Sequence, residues 1–140
     1  QLPRLPEIMR IREANFRALQ KGLTAIPNIH VLDSGEARLK SSFYCTIALL
    51  QGDLAERRNE IALALNAAGV GTSIYYPHPI GRLCYYRDRF GYDADGFKGA
   101  SALADNAIAL PCGPHLNESD MADIAAVVSG IKAVSKLARP

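Results

Sequence analysis

The chain has 140 residues, 49% of them apolar and 21% charged, with a formal net charge of +2. That length fits one domain of roughly 100–200 residues, and the composition excludes a disordered, collagen-like or disulfide-dense polypeptide. The charge is too small to point to nucleic acid or an anionic membrane, and no apolar run approaches the ~18 residues of a membrane-spanning helix.

Taken in chain order, Leu2 to about Leu23 reads as a helix. Pro3 and Pro6 are tolerated only near its start, where the backbone N–H groups have no helical acceptor. Ile8, Ile11, Ala18, Leu19 and Leu23 form its apolar stripe, and Gly22 and Pro27 end it. Ile29–Leu32 reads as a strand before the turn-prone Asp33-Ser34-Gly35. Ser42–Leu50 (SFYCTIALL) is the strongest strand signal, aromatic and β-branched with nearly continuous apolarity.

Asp53–Ala68 is a predicted helix with Asp53 at the N-cap and Glu56 completing a capping-box-like pair. Its stripe is Leu54, Ile61, Leu65 and Ala68, and Gly69 closes it. Thr72–Tyr76 is predicted as a further strand, stopped by Pro77 and Pro79. A short helix over 80–90, a polar loop over 91–96, a helix from Lys98 to about Asn106 and a strand Ala107–Leu110 follow. Asn117 is expected to cap the last helix, with Met121, Ile124, Val127 or Val128, Ile131 and Val134 on one face. The order α-β-β-α-β-α-α-β-α predicts an α/β (α+β) two-layer sandwich, a small, mainly antiparallel or mixed sheet flanked by helices.

Self-contained catalytic machinery is not in evidence. The sequence has no G-x-S-x-G, no G-x-x-x-x-G-K-[ST], no G-x-G-x-x-G and no H-E-x-x-H. Cys45, Cys84 and Cys112 are odd in number with no Cys-x-x-Cys pair, which reads as reduced thiols in a cytoplasmic protein. His30, His78 and His115 lack metal-ligand spacing, so no metal is expected. Asp120 and Asp123 fall in the first turn of a helix, where the helix dipole favours negative charge, and Asp93 and Asp95 read as turn formers. None of Lys21, Lys40, Lys98, Lys132 and Lys136 has the apolar framing of a carbonyl-trapping amine. The basic residues of Arg82–Arg89 read as a solvated helix face.

What remains is Gly69–Gly81, GVGTSIYYPHPIG, where two tyrosines and a histidine gather at a forced turn. On a strand, Tyr75 and Tyr76 would face opposite ways, one packed and one free to offer its phenol to a ligand. His78, between two prolines, reads as exposed. The chain opens on what reads as the first turn of a helix, without an initiator methionine or a signal-peptide apolar core, and is expected to be cut from something longer.

Residues 69–80 resemble the G-[IV]-x-T-x-[IV]-H-Y-P-x-P-[LI] signature of pyridoxal-phosphate (PLP) dependent nucleotide-sugar aminotransferases of the DegT/StrS type. Gln1–Arg12 resembles that family's helix after the large domain, and Ser41–Leu50 its S-S-x-Y strand. Leu110-Pro111-Cys112-Gly113-Pro114-His115-Leu116, with Asp120, resembles its L-P-x-x-P-x-L…D ending. The resemblance runs through essentially the whole chain in order. It implies the C-terminal small domain of a fold-type I PLP enzyme, without the large domain.

In such enzymes PLP, its lysine and most phosphate contacts belong to the large domain, so no catalytic or cofactor-binding residue and no bound PLP is expected on these 140 residues alone. The implied parent is a cytoplasmic homodimer that moves an amino group, usually from glutamate, to a keto group of a nucleotide-linked sugar. Tyr75 and Tyr76 are the positions that the resemblance implies face the sugar, and His78, at the same turn, is the third candidate substrate-binding residue. Tyr76 matches the signature; Tyr75 stands where the family usually has histidine, and Gly81 where a second histidine often follows, which implies a different sugar preference. Two alternatives stand beside this reading: a standalone sugar- or protein-binding module with the same fold, and a domain of a family member that dehydrates or senses instead of transaminating.

Overall fold

The computed structural model describes residues 2–33 and 38–137, with side chains described as far as Ile131. A 3-10 turn, Leu2–Arg4, leads into helix α1, Leu5–Thr24, with Pro6 in its first turn as its missing N–H requires. The buried face of α1 is Asn15, Phe16, Leu19 and Leu23; Ile8, Ile11 and Ala18 are only half-buried. The expected stripe was therefore too N-terminal and omitted a buried amide.

Strands β1 (Ile29–Val31), β2 (Thr46–Leu50) and β3 (Ala107–Leu110) form one sheet in the order β1-β2-β3. Both pairings are antiparallel; Val31 and Ile108 face Ala48 from either side, and Leu110 faces Thr46. The sheet is thus wholly antiparallel. Val31, Ala48, Leu50, Ile108 and Leu110 on one sheet face join Leu19 and Leu23 of α1 in a single core. Leu65 of α2 (Arg58–Ala67) and Met121 of α5 (Glu118–Leu137) complete it. This is the expected helix-on-sheet sandwich. Helix α1 lies tight against α5 at Gly22, where a Cβ would lie 2.7 Å from the Cβ of Ala125.

Four local expectations need correction. The strand expected from Ser42 begins only at Thr46, because Phe43 adopts φ 45°, outside extended geometry, and turns its buried ring to within 5.2 Å of the Phe16 ring. Asp53 does not cap a helix. Its Oδ1 accepts a bond from Asn28 Nδ2 at 2.7 Å, and Gly52–Arg57 winds as 3-10 turns before α2 begins. Ala68 is exposed instead of joining the stripe of α2. Thr72–Tyr76 is not a strand: only Ser73 pairs, with Ala109. The expected Asp33-Ser34-Gly35 turn lies outside the described residues from Ser34 on, as does the side chain of Val134.

Both later helix ends behave as read. Gly69, at φ 85°, ends α2: its N–H donates to Asn66 O at 3.0 Å and that of Val70 to Leu65 O at 2.9 Å. This is a Schellman closure, and the buried Val70 joins the same core as Leu65. Asn117 Oδ1 accepts from the N–H groups of Ser119 (2.8 Å) and Asp120 (3.2 Å), while Asp120 Oδ2 accepts from the Asn117 N–H at 2.8 Å. That reciprocal capping box starts α5. Among the described residues, no helix is long and apolar enough to cross a membrane.

Candidate functional site

The segment after Gly69 is pinned at its start and left open at its end. Asn66 holds Thr72 twice, donating to its Oγ1 at 2.9 Å and accepting from its N–H at 3.1 Å. Ser73 and Ala109 then exchange both backbone hydrogen bonds, at 3.1 and 2.8 Å, which fastens the chain to the free edge of β3. Beyond that point the Tyr75–Tyr76 peptide is cis and Pro77-His78-Pro79 turns the chain away. The two tyrosines therefore do not alternate across a strand. Their rings lie 6.2 Å apart, with Tyr75 43% and Tyr76 77% exposed.

Tyr75, Tyr76 and His78 line one open groove of about 600 Å³. Ile80 and Leu83 continue the wall, and Ala100, Leu103 and Ala104 of α4 (Lys98–Asn106) supply the opposite side. The structure thus brings the three expected residues together, on a surface that is otherwise apolar. The phenols and the imidazole can donate to and accept from a hydroxylated ligand, while the rings and aliphatic side chains cover its carbon faces.

Two interactions that sequence reasoning missed hold the groove's walls at a fixed separation. Arg82, at the end of the 3-10 turn Ile80–Arg82, forms a fork with Asp105 of α4 through bonds of 2.6 and 2.9 Å. Arg58 of α2 donates to the carbonyl of Ala104. The Arg82 hydrogen bonds hold the Asp105 carboxyl below its usual carboxylate range, helped by the charges of Arg82, Arg58 and His78 and opposed by slight burial. Arg82 is therefore not part of a solvated helix face. Arg87 and Arg89 do lie on exposed turns of α3 (Cys84–Phe90), Arg89 over the Phe90 ring. No periodicity marks Arg82 and Asp105 as partners, since they are brought together across 23 residues by the path of the 91–97 loop.

The cysteines are free thiols, and burial pushes both Cys45 and Cys112 above their usual range. Among the described residues no three His, Cys, Asp or Glu side chains gather as a metal site requires. Lys21, Lys40 and Lys98 are exposed, and none lines the groove. Among the described residues the groove therefore offers no amine that could hold an aldehyde cofactor such as PLP.

A sequence model of the DegT/DnrJ/EryC1/StrS aminotransferase family matches residues 1–129. The chain belongs to that family. Among solved structures, Spr1654 of Streptococcus pneumoniae in its PLP-form is similar at 25% identity and TM-score 0.81, with 94% of this chain covering 33% of that one. The aminotransferase TlmJ of Streptoalloteichus hindustanus is similar at 25% identity and TM-score 0.75, with 95% of this chain covering 34% of that one. The chain thus spans about a third of the length of these structures, and the α/β sandwich matches the small domain of fold-type I PLP enzymes. The erythromycin biosynthesis sensory transduction protein EryC1 of Saccharopolyspora erythraea is 39% identical over 62 residues, 44% of this chain and 17% of that protein.

Proposed function

We propose that this chain is the C-terminal small domain of a PLP-dependent aminotransferase acting on a nucleotide-linked sugar, and that it forms the substrate-facing wall of the active site. The observation that carries the reading is the convergence of Tyr75, Tyr76 and His78 on one apolar groove, in a chain of this family. PLP and the lysine that holds it belong, in this reading, to a large domain of the same polypeptide. The small domain contributes orientation and exclusion of water: tyrosine hydroxyls and the His78 imidazole bind sugar hydroxyls, and Leu83 and Leu103 cover the ring. The amino donor is glutamate, and the enzyme works as a cytoplasmic homodimer. The structure of Spr1654 is described as that of a sugar aminotransferase, which supports a sugar as the substrate.

The groove also accounts for the departure at Tyr75. A phenol keeps a neutral hydrogen-bonding group near pH 7, where a histidine would titrate. The proposed site therefore recognises the sugar through Tyr75 without lending it an acid or base. In the enzyme that carries this domain, Tyr76→Phe and His78→Ala are expected to raise KM for the nucleotide sugar about two- to tenfold each. The half-reaction with the amino donor should not change. Equal damage to both half-reactions, or to neither, would reject the wall.

A second reading follows from the stretch shared with EryC1, a protein named for sensory transduction. In that reading the parent binds the same ligand class and does not complete amino transfer. Single-turnover conversion of a keto-sugar to an amino-sugar separates the two.

A further inference from the structure

A smaller pocket of about 280 Å³ opens on the other side of Tyr75. Its lining includes Arg12 from α1, Tyr44 from the approach to β2, Ser73, Tyr75 and His115. Among the described residues no aspartate or glutamate lines it. Arg12 stands out within it. Its guanidinium sits 5.7 Å from the centre of the Tyr44 ring, which engages the face of the cation and leaves its N–H groups free to donate. Arg12 Nε is buried and has no hydrogen-bond acceptor among the described residues. Other arginines of α1 differ: Arg10 forks onto Glu7 and Arg17 reaches Asp33 at 2.6 Å. A half-buried arginine whose Nε lacks an acceptor, sharing a pocket with two phenols, a serine hydroxyl and an imidazole, offers charged donors to an anion.

The electrostatics agree with that geometry. The nearby Tyr75 phenol, chiefly by hydrogen bonding and then by like charge, holds the Tyr44 hydroxyl above its usual range, and Arg12 opposes that shift slightly. Arg12 likewise pulls on the Cys112 thiol, against the larger effect of burial. The pocket's size limits the occupant. At about 280 Å³ it has room for a carboxylate or phosphate group.

We infer that Arg12, Tyr44, Ser73, Tyr75 and His115 form a binding site for a small oxyanion, a carboxylate or a phosphate, next to the tyrosine groove. The inference does not rest on the aminotransferase reading. It needs only this chain, and it stands whether or not a sugar engages Tyr76 and His78.

The test is an amide and imidazole NMR titration of the 140-residue chain, with inorganic phosphate in one arm and glutarate in the other, at ionic strength held constant with chloride. Saturable shifts at Gly71, Ser73, Gly113 and the His115 ring are expected in at least one arm. Whichever arm saturates identifies the anion as phosphate-like or carboxylate-like. Arg12→Gln should raise Kd about tenfold or more, as expected on losing a charge-assisted donor, and Arg10→Gln, on the outer face of the same helix, should not change it. Tyr44→Phe and His115→Ala should each weaken binding about two- to fivefold, which keeps the question answerable if Arg12→Gln does not fold. Only linear drift in both arms of the wild-type chain, or saturation unchanged in Arg12→Gln, would overturn the site.

Discussion

Leu19, Leu23 and Met121, in the helix-backed half of the domain, are fully buried, whereas Tyr76, Tyr85 and Phe90, in the stretch between β3's edge and α4, remain 77%, 63% and 53% exposed. Both regions are rich in large apolar side chains. In the first, three helices and a sheet face converge and each side chain finds neighbours on every side. In the second, Pro77 and Pro79 prevent further strand pairing, and aromatic rings meet mainly one another, Tyr86 and Phe90 at 6.0 Å, Phe90 and Tyr92 at 5.6 Å, Tyr92 and Phe97 at 5.4 Å. The difference teaches that the same residue types build the core in one half and are left at the surface in the other.

The sharpest way to break that contrast is truncation in the core. Leu23→Ala is expected to cost about 2–5 kcal/mol of unfolding free energy, read from urea melts, because the cavity cannot collapse between α1, α5 and the sheet. Asn15→Ala should come next. Asn15 Nδ2 donates to the carbonyls of Gly113 (3.0 Å) and Leu116 (2.9 Å), so its loss leaves both without that partner at a cost of about 1–3 kcal/mol. The amide shifts of residues 113–116 should move with it. Asn117→Ala removes the cap of α5 and should cost about 1 kcal/mol.

The contrast also marks what the sequence could reveal. Helix α4 and the Asn117 cap were legible because each depends on neighbours within a few residues, and β3 because its apolar run is closed by Pro111. The same held for the Gly69 terminator. What failed depended on distant partners. Asp53 looked like a cap, but Asn28, 25 residues away, claims its carboxylate. Thr72–Tyr76 had strand composition but only one residue, Ser73, finds an edge to pair with. At the candidate site, the motif named Tyr75 and Tyr76 and the turn brought His78 beside them, yet the Arg82–Asp105 fork and the pocket around Arg12 arise only when distant segments are brought together.

Two smaller effects sharpen the other side of the comparison. Tyr85→Ala, on the exposed aromatic run, should change stability by no more than about 0.5 kcal/mol, against the large loss at Leu23. The smallest effect concerns pH. The folded-state pKa of Asp105 lies below its unfolded value, so the stability gained from pairing with Arg82 is fully present above the ordinary aspartate pKa of about 3.9. It is lost as pH falls through the lowered folded-state value. Asp105→Asn should therefore flatten this part of the acid limb of a Tm-against-pH curve below about pH 4 and leave its shape near pH 7 unchanged.

Borohydride reduction of the 140-residue chain mixed with PLP, followed by intact mass and peptide mapping, tests most directly whether this domain supplies a wall while the cofactor's amine lies elsewhere in the enzyme. The account predicts only scattered, substoichiometric labelling of exposed lysines such as Lys21, Lys40 and Lys98. One equivalent of pyridoxyl group fixed on a single lysine would contradict it.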